Sequence, residues 1–205
     1  MIIAQEFNLS IINSVWLFKN KIFTEEELQG KASLPILVEA QSKDFNFKII
    51  PERLQFSISL KCDNASRIIS SKVGEIIKLL PHTPYTAAGF NFTYNIFSKV
   101  TGIGELTRSL FCRHDSKLFS DFDTEDARFG GYFSKDIIGT RLSLEAKPVT
   151  TQKQDIKEEK LKLAYNFQIT LSPQDDSNMI LDFLKKWDEA KKITQEITYK
   201  LDEGY

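Results

Sequence analysis

The chain has 205 residues, of which 41% are hydrophobic and 27% are charged, and this balance excludes a globally disordered protein. Its formal net charge of −1 argues against a nucleic-acid-binding protein, because phosphate contacts usually require a clear positive excess. The sequence contains no apolar run of about 18 residues, so we predict no membrane span, and MIIAQEFNLS lacks the features of a secretion signal.

The first part of the chain predicts two strands and one short helix. Residues 7–11 alternate between apolar and polar side chains, which is the period of a half-buried strand. Thr24 can cap a short helix that carries glutamates in its first turn, and Gly30 can end it. Residues 34–41, LPILVEAQ, predict a further strand.

A hairpin, a helix and a strand complete the first half. Apolar residues alternate over 45–49 and again over 54–60, with a Pro-Glu pair between the two runs, so we predict a hairpin. Residues 63–80 carry an apolar stripe at helical spacing, and the initial Asp or Asn can cap this helix. Residues 87–97 alternate again and predict a strand.

The second half begins with an irregular stretch and then returns to strands. Residues 101–126 predict either short helices or an irregular connection, since two glycines precede a short apolar pattern. Residues 127–149 predict strands. The polar residues 150–160 predict a loop or an exposed strand extension, and 161–171 alternate as a strand should.

A long C-terminal helix is predicted over residues 176–202, opened by Ser172-Pro173. Its apolar residues recur at spacings of three and four, with one threonine among them. These positions are Ile180, Phe183, Trp187, Ala190, Thr194, Ile197 and Leu201. The apolar stripe is broad, which favours packing on a sheet; the alternative is contact with a partner helix.

These elements predict an α+β fold with a mostly antiparallel sheet and two main helices packed on it. We divide the chain into a strand-rich half, residues 1–99, and a second half, residues 100–205, which could also form one continuous domain. An aromatic-Asn-Phe trio recurs in both halves, so an internal duplication is one interpretation. The same trio also occurs twice within the first half, which favours simple resemblance among Phe-rich strands.

The stretch FCRHDSKLFSDFDTEDARFGG gathers the residues most suited to catalysis or metal binding. Asp121, Asp123 and Asp126, together with His114, could bind a divalent metal. Cys112 and His114 could form a nucleophile pair if a third group oriented the histidine. We interpret the stretch as a solvated acidic loop instead, because clustered charges usually face water.

His82 lies between two prolines in LPHTPYTAAG and is a second ligand candidate. The alternative is a structural role at the end of the preceding helix, where a cation is favourable. The sequence contains no P-loop, no GxSxG elbow and no complete dinucleotide-binding motif, so we predict no cofactor.

We therefore predict a non-enzymatic interaction or assembly protein that binds a protein partner or itself, with Phe183, Trp187 and Ile197 as anchors. The two cysteines form no CxxC motif, which favours the cytoplasm. Two alternatives remain: a metal-dependent hydrolase or phosphoesterase that uses the acidic loop, and a nucleic-acid-binding accessory protein.

Overall fold

The computed structural model describes residues 1–97, 102–113, 115–153 and 156–202. The described residues contain nine strands: β1 (Ile2–Ala4), β2 (Ser33–Leu34), β3 (Leu37–Gln41), β4 (Phe45–Ile50), β5 (Arg53–Ile58), β6 (Tyr85–Ile96), β7 (Gly131–Ile137), β8 (Thr140–Lys153) and β9 (Ile156–Thr170). They also contain eight α-helices: α1 (Ser14–Lys19), α2 (Glu25–Leu28), α3 (Ala65–Ile69), α4 (Glu75–Leu79), α5 (Ile103–Phe111), α6 (Lys117–Ser120), α7 (Asn178–Leu184) and α8 (Trp187–Asp202).

The nine strands form one antiparallel sheet in the order β2-β3-β4-β5-β1-β6-β9-β8-β7. The predicted α+β class with a mostly antiparallel sheet is confirmed. No described helix is long and apolar enough to cross a membrane.

The chain groups into two compact units, and each of them is discontinuous in sequence. Unit 1 comprises Met1–Phe90 and Gln168–Glu189, and unit 2 comprises Asn91–Phe167 and Ala190–Tyr205. The boundaries fall inside β6, β9 and α8. The division of the chain into residues 1–99 and 100–205 stays a prediction.

The β4–β5 hairpin of unit 1 confirms the prediction from alternating side chains. Its register places Phe47 opposite Phe56 and Ile49 opposite Leu54, and Phe47, Ile49 and Leu54 are fully buried. Residues of alternating polarity therefore face the core and solvent in turn, as the period of a strand requires.

The strand predicted over residues 7–11 is wrong, because β1 ends at Ala4 and this segment is irregular. Phe7 and Leu9 are still buried, at 1% and 5% exposure, so the alternation reflects burial without a strand ladder. The side chain of Asn8 accepts hydrogen bonds from the backbone N–H and the hydroxyl of Ser10, which closes a turn. This segment therefore contains side-chain hydrogen bonds within a turn where a strand was predicted.

The short acidic helix α2 forms as predicted and is held by a capping box. The Thr24 hydroxyl accepts from the N–H of Glu27 at 3.2 Å, and the Glu27 carboxylate accepts from the N–H of Thr24 at 2.8 Å. Lys72 donates to the same Glu27 oxygen at 2.7 Å and lies 4.9 Å from the centre of the Phe23 ring. Gly30, with φ of +68°, follows the helix end in the left-handed conformation that glycine favours.

The helix predicted over residues 63–80 is present, but it contains a π-helical turn. This turn, Ser70–Gly74, lies between α3 and α4. The apolar stripe remains buried through it, at Ile69, Val73, Ile76 and Ile77. Asn64 occupies the N-cap position of α3 without a capping bond from its side chain, so the predicted cap is only positional.

The C-terminal helix is shorter than predicted and is divided in two. It begins at Asn178 rather than at residue 176, and the Asp175 carboxylate, which accepts bonds from Ser172, forms a separate turn before it. A turn at Lys185 and Lys186 then separates α7 from α8. The sequence carries no glycine or proline at this break, so periodicity alone predicted one continuous helix.

Three aromatic rings of unit 1 meet where α7 ends and α8 begins. Phe183 stacks on Phe90 at a centroid distance of 4.1 Å, and Trp187 meets the same ring edge-to-face at 5.1 Å. All three side chains are buried. Phe90 belongs to β6, so these rings dock the helices on the sheet within unit 1.

In unit 2, the two segments for which the sequence left alternatives open contain helices and strands. Residues 101–126 contain the short helices α5 and α6, and the polar segment 150–160 belongs largely to extended ends of β8 and β9. Strands β7 and β8 form a hairpin with the two-residue loop Ile138-Gly139, whose φ angles are +48° and +67°. Two positive φ angles are typical of a type I′ turn.

We expect Trp187→Ala to lower the free energy of unfolding by about 3–5 kcal/mol, because it removes a large buried ring from the Phe90 cluster. Chemical denaturation measures this loss. Met179→Ala is a matched control on α7, since Met179 is 43% exposed and its truncation should change stability by less than about 0.5 kcal/mol. Equal stabilities of the two variants would contradict the docking of α8 on the sheet.

We expect Ile138→Asn to stabilise the protein by about 1 kcal/mol. A β-branched residue with positive φ is strained by about 1–2 kcal/mol, whereas Asn tolerates this conformation and Asn-Gly favours a type I′ turn. Thermal or chemical denaturation tests the gain. Gly139→Ala is the opposite control and should destabilise, because it adds a Cβ at a positive φ. A loss of stability in Ile138→Asn would contradict the strain argument.

Candidate functional site

The residues predicted to carry chemistry do not converge in the described structure. His82 belongs to unit 1, the aspartates belong to unit 2, and His114 lies outside the described residues. Within residues 1–97, 102–113, 115–153 and 156–202, no group of three His, Cys, Asp or Glu side chains is placed to hold a metal ion.

His82 is exposed in the turn that follows α4, between Pro81 and Pro84. It lines a shallow pocket of about 280 Å³ together with residues of the N-terminal segment, among them Glu6 and Asn8. The pocket combines one imidazole with one carboxylate. This arrangement offers a contact surface and no enclosed reaction chamber.

The carboxylates of the acidic loop are exposed to solvent, and two of them accept hydrogen bonds from nearby residues of unit 2. Asp121, Asp123 and Asp126 are exposed. The Arg108 guanidinium donates to Asp123 at 2.8 Å and to the carbonyl of Thr124 at 2.8 Å, which ties the loop to α5. A hydrogen bond from the Thr124 side chain lowers the pKa of Asp126.

The predicted anchors lie in different places. Phe183 and Trp187 are buried in the Phe90 cluster of unit 1, and Ile197 is half-buried in unit 2. A partner of this protein would therefore reach Ile197 more readily than the two buried rings.

Unit 2 contains an apolar cavity that the sequence analysis did not identify. Its volume is about 360 Å³. It is lined by Leu110 and Phe111 of α5, Phe133, Ser134 and Lys135 of β7, Leu142, Leu144 and Ala146 of β8, and Ile197 and Leu201 of α8. Most of these side chains are hydrocarbon, and Lys135 is the one charged member of this lining. Such a cavity can hold a small apolar group in contact with a single cation.

The helix α8 is fixed over unit 2 by two hydrogen bonds between tyrosine and threonine side chains. The Tyr94 and Thr194 hydroxyls lie 2.9 Å apart, and the Tyr165 and Thr198 hydroxyls lie 3.0 Å apart. Burial raises the pKa of both tyrosines, so both phenols stay protonated and able to donate. Ile197 and Leu201, each of which follows one of these threonines on α8, line the cavity.

The cavity is lined on one side by β7, which is an edge strand of the sheet. Every residue from Tyr132 to Asp136 is exposed, and Tyr132 and Phe133 are 71% and 52% exposed. Side chains alternate along the strand, so Phe133 and Lys135 share the face of the cavity, opposite Leu144 and Leu142 of β8. The other end of the sheet is β2, which has only two residues.

Gly130 lets the start of β7 approach β8 closely. A Cβ atom at this position would lie 2.5 Å from the carbonyl oxygen of Ala146, which no side chain tolerates. The Gly130-Gly131 pair that looked like the end of an acidic run therefore begins the edge strand. This pair, followed directly by Tyr132 and Phe133, was the sequence signal of the site.

We expect joint replacement of Asp121, Asp123 and Asp126 by Asn to change stability little, at most about 1 kcal/mol. The three carboxylates are exposed, and surface ion pairs such as Arg108–Asp123 contribute only about 0–1 kcal/mol. We also expect no rise of the melting temperature of the wild type with Mg²⁺, Mn²⁺ or Ca²⁺. A clear rise that the triple variant and His114→Ala abolish would establish a metal site and contradict the loop interpretation.

Comparison with known proteins gives no further guide to the site. The chain matches no protein-family model, no curated protein and no solved structure.

Proposed function

We propose that this chain is a non-enzymatic interaction protein that self-associates through β7. The main support for this proposal is the position of β7 at the edge of the sheet, where the rings of Tyr132 and Phe133 are exposed to solvent. An edge strand offers backbone N–H and C=O groups that another strand can bind. A second copy of the chain supplies a matching strand.

The sequence of β7 favours pairing with its own copy in one register. In an antiparallel pair related by a two-fold axis, Ser134 can lie opposite Ser134 of the second copy. Phe133 then lies opposite the second copy's Lys135, and Tyr132 lies opposite its Asp136. Each ammonium meets an aromatic ring, a contact that contributes about 0.5–1 kcal/mol at exposed sites.

The neighbouring symmetric registers are less favourable. A shift in one direction places Lys135 opposite Lys135 of the second copy, and like charges directly opposite are destabilising. A shift in the other direction places Phe133 opposite itself and Gly131 opposite Lys135, so both cations lose their aromatic neighbours. Lysine on an edge strand usually opposes pairing with another strand. Of the three registers, only the one centred on Ser134 places each Lys135 opposite an aromatic ring.

Other features of the proposal rest on sequence arguments. The two cysteines, which form no CxxC motif, favour a cytoplasmic location. Two main helices on the sheet and an internal duplication of two similar halves stay hypotheses. The alternatives also stay hypotheses: a hydrolase that uses the acidic loop draws no support from its exposed aspartates, and a nucleic-acid-binding role draws none from a net charge of −1.

We expect Ser134→Lys and Ser134→Asp each to make the protein monomeric, because each places two like charges opposite each other at the two-fold axis. An equimolar mixture of the two variants should form a heterodimer, since the charges then attract. Sedimentation velocity over a range of micromolar concentrations measures all three samples. We expect a weak wild-type dimer, because one pair of strands forms a small interface.

Asn46→Lys is the control for this experiment. Asn46 is exposed on β4, which lies between β3 and β5, so the substitution adds the same charge away from a sheet edge. This variant should dimerise like the wild type. A wild type that stays monomeric, or charged Ser134 variants that dimerise alone, would contradict pairing through β7.

A further inference from the structure

We infer that the cavity of unit 2 binds a single-chain amphiphile with a carboxylate head group, with the hydrocarbon chain inside and the head at Lys135. This inference goes beyond self-association and does not rest on it, and ligand binding would compete with β7 pairing because both use the Lys135 ammonium group. It follows from the size of the cavity, the chemistry of its walls and the position of one cation.

The size and the walls favour a hydrocarbon chain. A volume of about 360 Å³ lies in the range of about 300–1,000 Å³ that small-molecule sites occupy. On β8 the lining residues Leu142, Leu144 and Ala146 are apolar but only 3%, 8% and 2% exposed, so most of the free apolar surface of the cavity belongs to its other side chains. An alkyl chain in the cavity would contact mainly hydrocarbon.

The helix side of the cavity is accessible. Ile197 and Leu201 are four residues apart on α8 and therefore lie on one face, and both are half-buried. Phe111 and Phe133 add two rings at the same cavity, with centroids 6.2 Å apart. A chain that entered beside β7 would cover the exposed parts of these side chains, which supplies the driving force for binding.

The charge of the lining selects the head group. Lys135 forms no ion pair with any described residue, and it is exposed at the β7 side of the cavity. The neighbouring carboxylates are already engaged: Asp136 with Arg141 at 3.1 Å and Glu145 with Lys147 at 3.1 Å. Both acidic side chains also lie on the face of their strands that is opposite to the cavity.

One ammonium group matches one carboxylate. A charge-assisted hydrogen bond between them is about twice as strong as a neutral one, and it would form where the apolar walls end. A cationic head group would instead meet Lys135 as a like charge. The sign of the head group is therefore the most direct test of the inference.

The test compares decanoate with decyltrimethylammonium by isothermal titration calorimetry, both below micelle-forming concentration. We expect the wild type to bind one decanoate per chain and to bind the ammonium compound at least about tenfold more weakly. Lys135→Met should lose this preference, because it keeps a hydrocarbon side chain without the charge. Lys147→Met is the control and should bind decanoate like the wild type, since Lys147 lies on the other face of β8.

Ile197→Trp should fill the cavity and abolish binding of both compounds with little change in melting temperature. Should this variant not fold, methyl NMR of the wild type decides, because decanoate should shift the methyl signals of Leu142, Leu144 and Ile197. The inference is overturned by a wild type that does not bind decanoate, by equal affinity for the two head groups, by binding in folded Ile197→Trp, or by methyl shifts elsewhere. The titration uses a protein concentration at which the chain is monomeric, so a failure to bind decanoate overturns this inference alone, and a chain that stays monomeric at every concentration overturns self-association alone.

Discussion

The unit 2 site depends on the two tyrosine–threonine hydrogen bonds that hold α8 over the sheet. A hydroxyl pair fixes the separation between two elements, whereas apolar side chains allow them to approach until every gap is filled. The pairs Tyr94–Thr194 and Tyr165–Thr198, at 2.9 Å and 3.0 Å, therefore fix the position of α8 against β6 and β9. The cavity is lined by this helix, by α5 and by the β7–β8 hairpin, and its lining on β8 includes the small Ala146. A larger side chain at Ala146 would fill part of the cavity.

A second constraint is the pairing of β7 with β8, which positions β7 although its side chains are exposed. Its residues are almost all exposed, so hydrophobic burial contributes little to its placement. The backbone contributes instead: the β7–β8 ladder runs from Gly131 opposite Ala146 to Ile137 opposite Thr140, and Gly130 permits the close approach at one end. The strained Ile138-Gly139 turn closes the other end. An edge fixed by its hairpin partner stays straight and accessible, which is what pairing with a second strand requires.

The sequence predicted strands well where the buried residues also pair with a neighbouring strand, and poorly where buried residues have no such pairing. Alternation located the β4–β5 hairpin because each buried side chain there also lies in a ladder. It failed over residues 7–11, where Phe7 and Leu9 are buried although local turns satisfy the backbone. The π-helical turn at Ser70–Gly74 and the break at Lys185 keep the apolar stripe in phase, so periodicity could not reveal them. The cavity was equally hidden, because it lies between the β7–β8 hairpin and two helices, α5 and α8, that are separated from the hairpin in sequence.

Buried groups whose pKa values are shifted make structural hydrogen bonds. Catalytic groups usually have pKa values moved toward neutrality in a cleft. Here burial raises the pKa of Tyr94 and Tyr165, which keeps both as hydrogen-bonding groups that hold a helix. Burial lowers the pKa of the Met1 amino group to about 6, but this group donates to the Gly89 carbonyl at 2.8 Å beside the β1–β6 pair of unit 1. The unit 2 cavity combines hydrocarbon walls with the single ammonium of Lys135. In the inference drawn above, that chemistry selects a ligand by its hydrocarbon chain and by the charge of its head group.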